Sequence, residues 1–456
     1  MKIHSALKLV LIIGLLDLLV PLAQGAYLTT LYSFDGTNGA RPRAGLIQGT
    51  NGNFYGLAYQ GGVNNLGTIY ELTPAGGVTN RWSFNRTDGA LPAAPFILGQ
   101  DGNLYGEALG GTLGFGTLFQ LTPGGAFSNL VSFVPPNGVS TSGPLLQGQD
   151  GNLYGVTEQA ATLGNSGTIY RMTPDGQVTN LYTFSGPDGY RPRGGVVQGP
   201  NGVLYGTTSQ GGTNGGYGTI FKITTNGVFQ SLWSFNQTNG STPGIAPLVF
   251  GLDGNLYGTT IGGGTNAFNG SYGTIFRITP AGEFTSLVSL DGGTMGASIN
   301  AGLLLRTNGN FYGATYGGGG TIFEVTPNGV FTTIYTFDGS QGNGPLGTLT
   351  QGTDGNLYGT TETGGQYDLG TIFRLSFTAP DAPVPVILSV SETNGTLGLT
   401  WSSVSGRYYQ LQSNPDLTTT NWTDVNPPVI ATDATASGTD TLGPEAQRFY
   451  RVELLP

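Results

Sequence analysis

Cysteine is absent from this sequence, and histidine occurs once, at His4. If residues 1–25 are removed, as argued next, no His and no Cys remain and Lys222 is the single lysine. A Ser-His-Asp or Cys-His arrangement is then excluded, as is a zinc site with His or Cys ligands. A Schiff-base enzyme would have to use Lys222. Charge is scarce as well: 9 % of residues are charged and the formal net charge is −10. Thirteen arginines and one lysine after residue 25 are too few and too scattered to track nucleic-acid phosphates. No metal, cofactor or nucleic-acid partner is expected.

Long apolar runs are missing too, apart from one. Lys2 and Lys8 precede a run from Leu9 to Leu22, interrupted only by Asp17 and followed by Ala23-Gln24-Gly25. This is the pattern of a secretory signal over residues 1–25, with Ala26 as the first mature residue. The run is too short to cross about 30 Å of hydrocarbon. The expected product is secreted, extracellular or at the cell surface, with no membrane span after cleavage. Without cysteine, packing alone must stabilise it there.

What the chain has in abundance is glycine, 81 residues, and a period. The pattern Gly-x-(Leu/Phe)-Tyr-Gly recurs with its tyrosine at Tyr55, Tyr105, Tyr154, Tyr205, Tyr257, Tyr312 and Tyr358. A second landmark, Gly-Thr-(Ile/Leu)-(Phe/Tyr), begins at Gly67, Gly116, Gly167, Gly218, Gly273, Gly320 and Gly370. Each unit of about 50 residues reads as four short strands, a to d, joined by Asn-Gly and Asp-Gly turns that signal antiparallel hairpins. Asp and Asn interchange at the a–b turn, which marks turn residues and not calcium ligands. Strands b, c and d carry apolar residues on both faces. With no helical stretch to cover them, neighbouring sheets must do so.

The units start out of phase. A strand d (Leu28 to Phe34) comes first, and the last unit supplies a, b and c (Leu346 to Leu375) with no d after them. The N-terminal strand therefore completes the last unit, which predicts an all-β, seven-bladed β-propeller over residues 26–378. A Pro-rich linker (379–385) follows, then a small β-sandwich (386–456) with strands near 386–391, 397–402, 408–412 and 448–454. Trp401, Trp422, Tyr408 and Tyr450 are its expected core.

Length variation is confined to the b–c loops. The interval from tyrosine to Gly-Thr runs 12, 11, 13, 13, 16, 8 and 12, whereas the c-to-d interval is constant at 15. The face carrying the b–c and d–a loops is therefore the expected binding face. Candidate ligand-binding residues there are Arg41, Arg43, Arg191 and Arg193 in two Arg-Pro-Arg loops, together with Phe115, Tyr217, Tyr272 and Tyr367. Aromatic planes with guanidinium forks suit sugars, acidic ones especially. The alternative is that the aromatics pin their own loops while the arginines pair with Asp35, Asp88 or Asp188. Glu107, Glu158 and Glu362 break the repeat near this face and are the candidates for acid/base chemistry on a glycoside. Glu71 and Glu324 share a strand c position that elsewhere holds Gln120 or a basic residue, and this indifference to sign marks a solvated edge.

Units such as Asp354-Gly355-Asn356-Leu357-Tyr358-Gly359-Thr360-Thr361, followed by Gly370-Thr371-Ile372-Phe373-Arg374-Leu375, resemble the GloVer tandem repeat of secreted bacterial "choice-of-anchor" proteins. The resemblance implies export and a surface or extracellular setting. It brings no catalytic residues, and this chain lacks the family's obvious anchor. The tail resembles a fibronectin type III-like module. The expected function is a monomeric, non-enzymatic binding or adhesion module for a polysaccharide or cell-envelope component. A carbohydrate-active enzyme using Glu107, Glu158 and Glu362 is the alternative.

Overall fold

A computed structural model describes residues 26–455 apart from 135–137, 142, 160–165, 266–271, 378–384, 405–406, 417–421 and 444–446. The expected signal segment and nearly all of the Pro-rich linker lie outside the described residues. Two compact units are present, one spanning Leu28–Leu375 and the other formed mainly by Ser376–Pro456. Among the described residues every regular element is a strand. Among these residues no helix is long and apolar enough to cross a membrane.

Within Leu28–Leu375 the strands form seven antiparallel sheets, each with its strands in the spatial order a-b-c-d. The b strands are Phe54–Gln60, Leu104–Ala108, Leu153–Gln159, Leu204–Thr208, Leu256–Gly262, Phe311–Thr315 and Leu357–Thr361. The N-terminal strand Tyr27–Ser33 occupies the d position of the seventh sheet, beside Thr371–Ser376. Edge strand a is interrupted. In the first sheet, Ala40–Pro42 and Ile47–Gln48 both pair with Phe54–Gln60, leaving Arg43 to Leu46 outside the ladder.

Both repeat landmarks have a packing cause. The strand b glycine stands opposite the strand c aromatic, as Gly56 does Tyr70, and the ring lies across it. A Cβ on Gly56 would sit 2.3 Å from the Tyr70 hydroxyl, and one on Gly359 would sit 2.4 Å from Phe373 Cζ. The threonine after Gly-Thr's glycine ties down the d–a loop, through Thr68 Oγ1 to Asn38 O at 2.8 Å and Thr371 Oγ1 to Gln341 O at 2.9 Å.

Neighbouring sheets cover one another's faces. One buried cluster joins Tyr55 and Ile69 of the first sheet to Leu104 and Phe119 of the second. Another joins Tyr358 and Ile372 of the seventh to Phe54 and Tyr70 of the first. Each fully buried side chain of this size contributes roughly 1.5–3 kcal/mol. The seventh and first sheets meet through the same devices as consecutive sheets. Gln48 Oε1 accepts from Thr353 N at 2.9 Å, as Gln147 Oε1 does from Gln100 N and Gln198 Oε1 from Gln149 N, both at 2.8 Å. The Phe54 and Tyr358 rings lie 4.1 Å apart at 32°, matching Tyr257 and Phe311 at 4.3 Å and 34°. The architecture is β-propeller-like.

The a–b turns correct one sequence expectation. Asp101 accepts from Asn103 N, Asn103 Nδ2 and Tyr105 OH at 3.1, 2.7 and 2.7 Å. Asp150, Asp253 and Asp354 repeat this arrangement. Where the turn holds Asn51 or Asn308, the carboxylate comes from strand c instead. Glu71 Oε1 accepts from Asn53 Nδ2, Tyr55 OH and Asn51 Nδ2 at 2.6, 3.0 and 3.2 Å, and Arg81 Nε reaches Oε2 at 2.5 Å. Glu324 makes the same contacts with Asn310 and Tyr312. Glu71 is buried, so its position is no solvated edge. In six sheets one carboxylate stands either in the turn or on strand c; the fourth, with Asn201 and Lys222, has it at neither place.

The second unit has a three-stranded sheet, Ile387–Thr393, Thr396–Ser402 and Thr435–Thr441, and a sheet centred on Tyr408–Asn414 beside Phe449–Leu454. Trp401 and Tyr450 are buried in its core. Strand alternation puts Tyr409, not the expected Tyr408, into that core. Trp422 is only partly buried, with Arg451 4.6 Å over its ring.

Candidate functional site

The interruptions of the a strands and the far ends of the b strands, brought together from all seven sheets, line a cavity of about 550 Å³. That volume falls in the range of small-ligand sites. Arg43, Arg193, Glu107, Glu158 and Glu362 all line it, joined by Tyr59 and Tyr316. These residues lie up to 319 positions apart in sequence.

Two ion pairs follow one rule. Residues four after the strand b tyrosine are Tyr59, Leu109, Glu158, Ser209, Ile261, Tyr316 and Glu362. Where that residue is Glu, the a-strand break of the next sheet supplies an arginine directly after a proline. Arg43 Nε and Nη2 reach Glu362 Oε1 at 2.8 and 2.7 Å, so the pair bridges the first and seventh sheets. Arg193 Nη2 reaches Glu158 Oε2 at 2.9 Å between the fourth and third. The carboxylates are the buried members, with Glu362 8 % and Glu158 20 % exposed against 34 % for each arginine.

Their surroundings differ. Glu362 Oε2 also accepts from Tyr316 OH at 3.2 Å, and the Arg43 guanidinium lies 3.8 Å over the Tyr59 ring, in cation–π range. The charge of Glu362, with a smaller contribution from burial, holds the Tyr316 phenol above its usual pKa. Around Glu158 the equivalent positions are Leu109 and Ser209.

Glu107 stands alone. It lies two residues after Tyr105, where other sheets hold Leu57, Val156, Thr207, Thr259, Ala314 or Thr360. Among the described residues its one partner is the Tyr170 hydroxyl of the third sheet, which donates to Oε1, while Oε2 is buried without a hydrogen bond. Burial pushes its pKa up to about 8, only partly offset by Tyr170. The cavity therefore holds two arginine–glutamate pairs and one buried carboxyl without a cationic partner.

The other sequence candidates fall outside this cavity. Arg41 and Arg191 sit one turn back in their loops, at φ 53° and 50°. Phe115, Tyr217 and Tyr272 use their carbonyls to hold the d–a loops, accepting from Ser140 N, Thr242 N and Ser298 N at 2.9, 2.9 and 2.8 Å. Tyr367 is an exposed b–c loop residue. The aspartates offered as partners for the arginines are engaged locally: Asp35 by Thr37, Asp88 by Trp82 and Asn85, and Asp188 by Tyr182 and Ser185. Sequence reasoning missed Tyr59, Tyr316 and both pairings. The signal was there, since Glu158 is matched by an Arg-Pro-Arg in the following unit and Glu362, in the last unit, by one in the first. Glu107 is likewise matched by Tyr170, where five of the seven strand c positions hold Phe.

An all-β array of four-stranded sheets around such a cavity defines a β-propeller-like repeat protein. The Gloeobacter/Verrucomicrobia repeat matches residues 20–216 and 194–409, and the chain belongs to that repeat family. No curated protein matches it. Among solved structures it is similar to a gluconolactonase from Xanthomonas campestris, at 11 % identity and a TM-score of 0.41, over 77 % of this chain and 89 % of that one. A candidate 6-phosphogluconolactonase from Bacteroides fragilis gives 15 % and 0.45 over 86 % and 97 %. Its counterpart from Bacteroides uniformis gives 14 % and 0.45 over 88 % and 99 %.

Proposed function

We propose that this chain is an exported, monomeric, non-enzymatic binding module that takes a carbohydrate of a polysaccharide or cell-envelope component into the cavity of a closed seven-bladed ring. Closure is supported by the seventh and first sheets meeting as consecutive sheets do. The fibronectin type III-like tail then serves as a spacer. The observation that carries the binding reading is the convergence of Arg43–Glu362, Arg193–Glu158, Tyr59 and Tyr316 on one cavity. Sugar hydroxyls both donate and accept, so an ion pair offers them charge-assisted partners of both kinds. The test is a polysaccharide and oligosaccharide array probed with purified protein, followed by assay for cleavage products. Retention without turnover supports the proposal; a blank array overturns it.

Glu107 favours a second reading. A buried acid that stays protonated near neutrality has the property a glycosidic general acid needs. Glu158 or Glu362 would then act as the second carboxylate, although each is already held by an arginine. Turnover that disappears in Glu158→Gln would establish this reading against the first.

A further inference from the structure

Tyr316 combines three features that a loop-pinning aromatic does not need. It lines the cavity and remains 40 % exposed. Its hydroxyl is fixed on Glu362 Oε2, so the ring has a set orientation. Its back rests on Gly344, where a Cβ would come within 2.7 Å of the ring. Backbone conformation does not explain that glycine. The equivalent residues Arg41, Leu91, Ser140, Arg191, Thr242 and Ser298 adopt the same left-handed φ, between 50° and 60°, and Gly344 has 66°. Six side-chain-bearing residues tolerate the conformation, and the seventh is glycine where the Tyr316 ring lies. Tyr59, by contrast, has a guanidinium over its ring.

The cavity's charge bears on the kind of ligand. Arg43 and Arg193 are already paired with Glu362 and Glu158, at 2.7 and 2.9 Å, and Glu107 is buried against the Tyr170 hydroxyl. A ligand carboxylate would have to displace Glu362 or Glu158 from its arginine, whereas neutral hydroxyls can bond to the pairs as they stand.

We propose that Tyr316 is a stacking platform for an uncharged pyranose ring, whose hydroxyls are addressed by the adjacent Glu362–Arg43 pair. This rests on the carbohydrate-binding reading of the cavity and adds a specificity-determining residue and a ligand class to it. The C–H face of the sugar covers the open face of the phenol, and the glycine behind keeps the ring flat against the wall.

The experiment compares neutral and uronic-acid oligosaccharides on the array, then titrates the best neutral binder calorimetrically against Tyr316→Phe, Tyr316→Leu and Tyr316→Ala. Melting curves check that each variant is folded. The expected result is retention of neutral sugars, a loss of roughly tenfold or more in Tyr316→Ala and Tyr316→Leu, and a change within about threefold in Tyr316→Phe, which keeps the aromatic face. Neutral sugars bound equally well by folded Tyr316→Leu would overturn the platform and leave the binding reading intact. Retention of uronic-acid oligosaccharides alone would overturn the ligand class. A blank array would overturn both.

Discussion

The two ends of the b strands carry carboxylates of opposite character. At the a–b turn end, Asp101, Asp150, Asp253, Asp354 and Glu71 are surrounded by donors from their own sheet. Burial opposes their ionisation, but hydrogen bonds from a tyrosine hydroxyl and an asparagine outweigh it and hold each carboxyl below its ordinary range. At the cavity end, Glu107, Glu158 and Glu362 take their partners from neighbouring sheets, and Glu107 keeps one oxygen unbonded. The same chemical group is scaffold at one end and candidate site at the other. What separates them is whether the donors are local and sufficient.

The largest expected effect comes from the least satisfied group. The Glu107 carboxyl titrates near 4.5 when unfolded and about 8 when folded. Between those values the folded chain holds a proton that the unfolded chain lacks. The stability it contributes is therefore complete below about pH 4.5 and falls as pH rises through 8, by on the order of 4–5 kcal/mol. Denaturant melts of wild type and Glu107→Gln at pH 5 and pH 9 should converge at the acid end, with the variant clearly the more stable at the alkaline end. Equal slopes with pH would show that Glu107 is not isolated.

A smaller contrast separates the two ion pairs. Arg43→Ala strands a carboxylate that is 8 % exposed, and Arg193→Ala one that is 20 % exposed. Chemical denaturation should give a loss of roughly 2 kcal/mol for the first and about 1 kcal/mol for the second, because solvent relieves Glu158 more readily. The reverse order would mean that Tyr316 and Tyr59 already compensate the Glu362 site.

A third comparison tests the carboxylate that stands either in the turn or on strand c. Glu71→Gln should cost about 1–2 kcal/mol. Adding Asn51→Asp should recover the part of that loss that comes from the turn, because it restores the arrangement of the second sheet, where Asp101 in the turn faces Gln120 on strand c, while the Arg81 contact stays lost. Since Glu71 is held below its ordinary range, its contribution is present above about pH 4.5 and fades as pH falls further. A double variant no better than Glu71→Gln would refute the exchange.

Legibility in the sequence followed the distance over which each feature is determined. Sheets, turns and the vacant last d position come from neighbours within one unit and from the period, and Gly-x-(Leu/Phe)-Tyr-Gly places every b strand. Glu71 and Glu324 were misread because one column was considered without the turn about twenty residues upstream that shares its carboxylate. Phe115, Tyr217 and Tyr272 stand out as aromatics, yet the bond to the d–a loop that they share is made by their carbonyls, to which Tyr217 adds its hydroxyl on Gln237. Arg43 and Glu362 are 319 residues apart, and only the meeting of the first and seventh sheets makes them neighbours. Tyr316 gives no signal as a residue type. It becomes conspicuous through Gly344, the single glycine in a column of side chains.

The most direct test is a crystal structure of the protein with the oligosaccharide it retains. Density for a pyranose over Tyr316, within hydrogen-bond reach of Arg43 and Glu362, is the predicted result. An empty cavity with the sugar bound instead among the outer b–c loops around Phe115, Tyr217 or Tyr367 would contradict it.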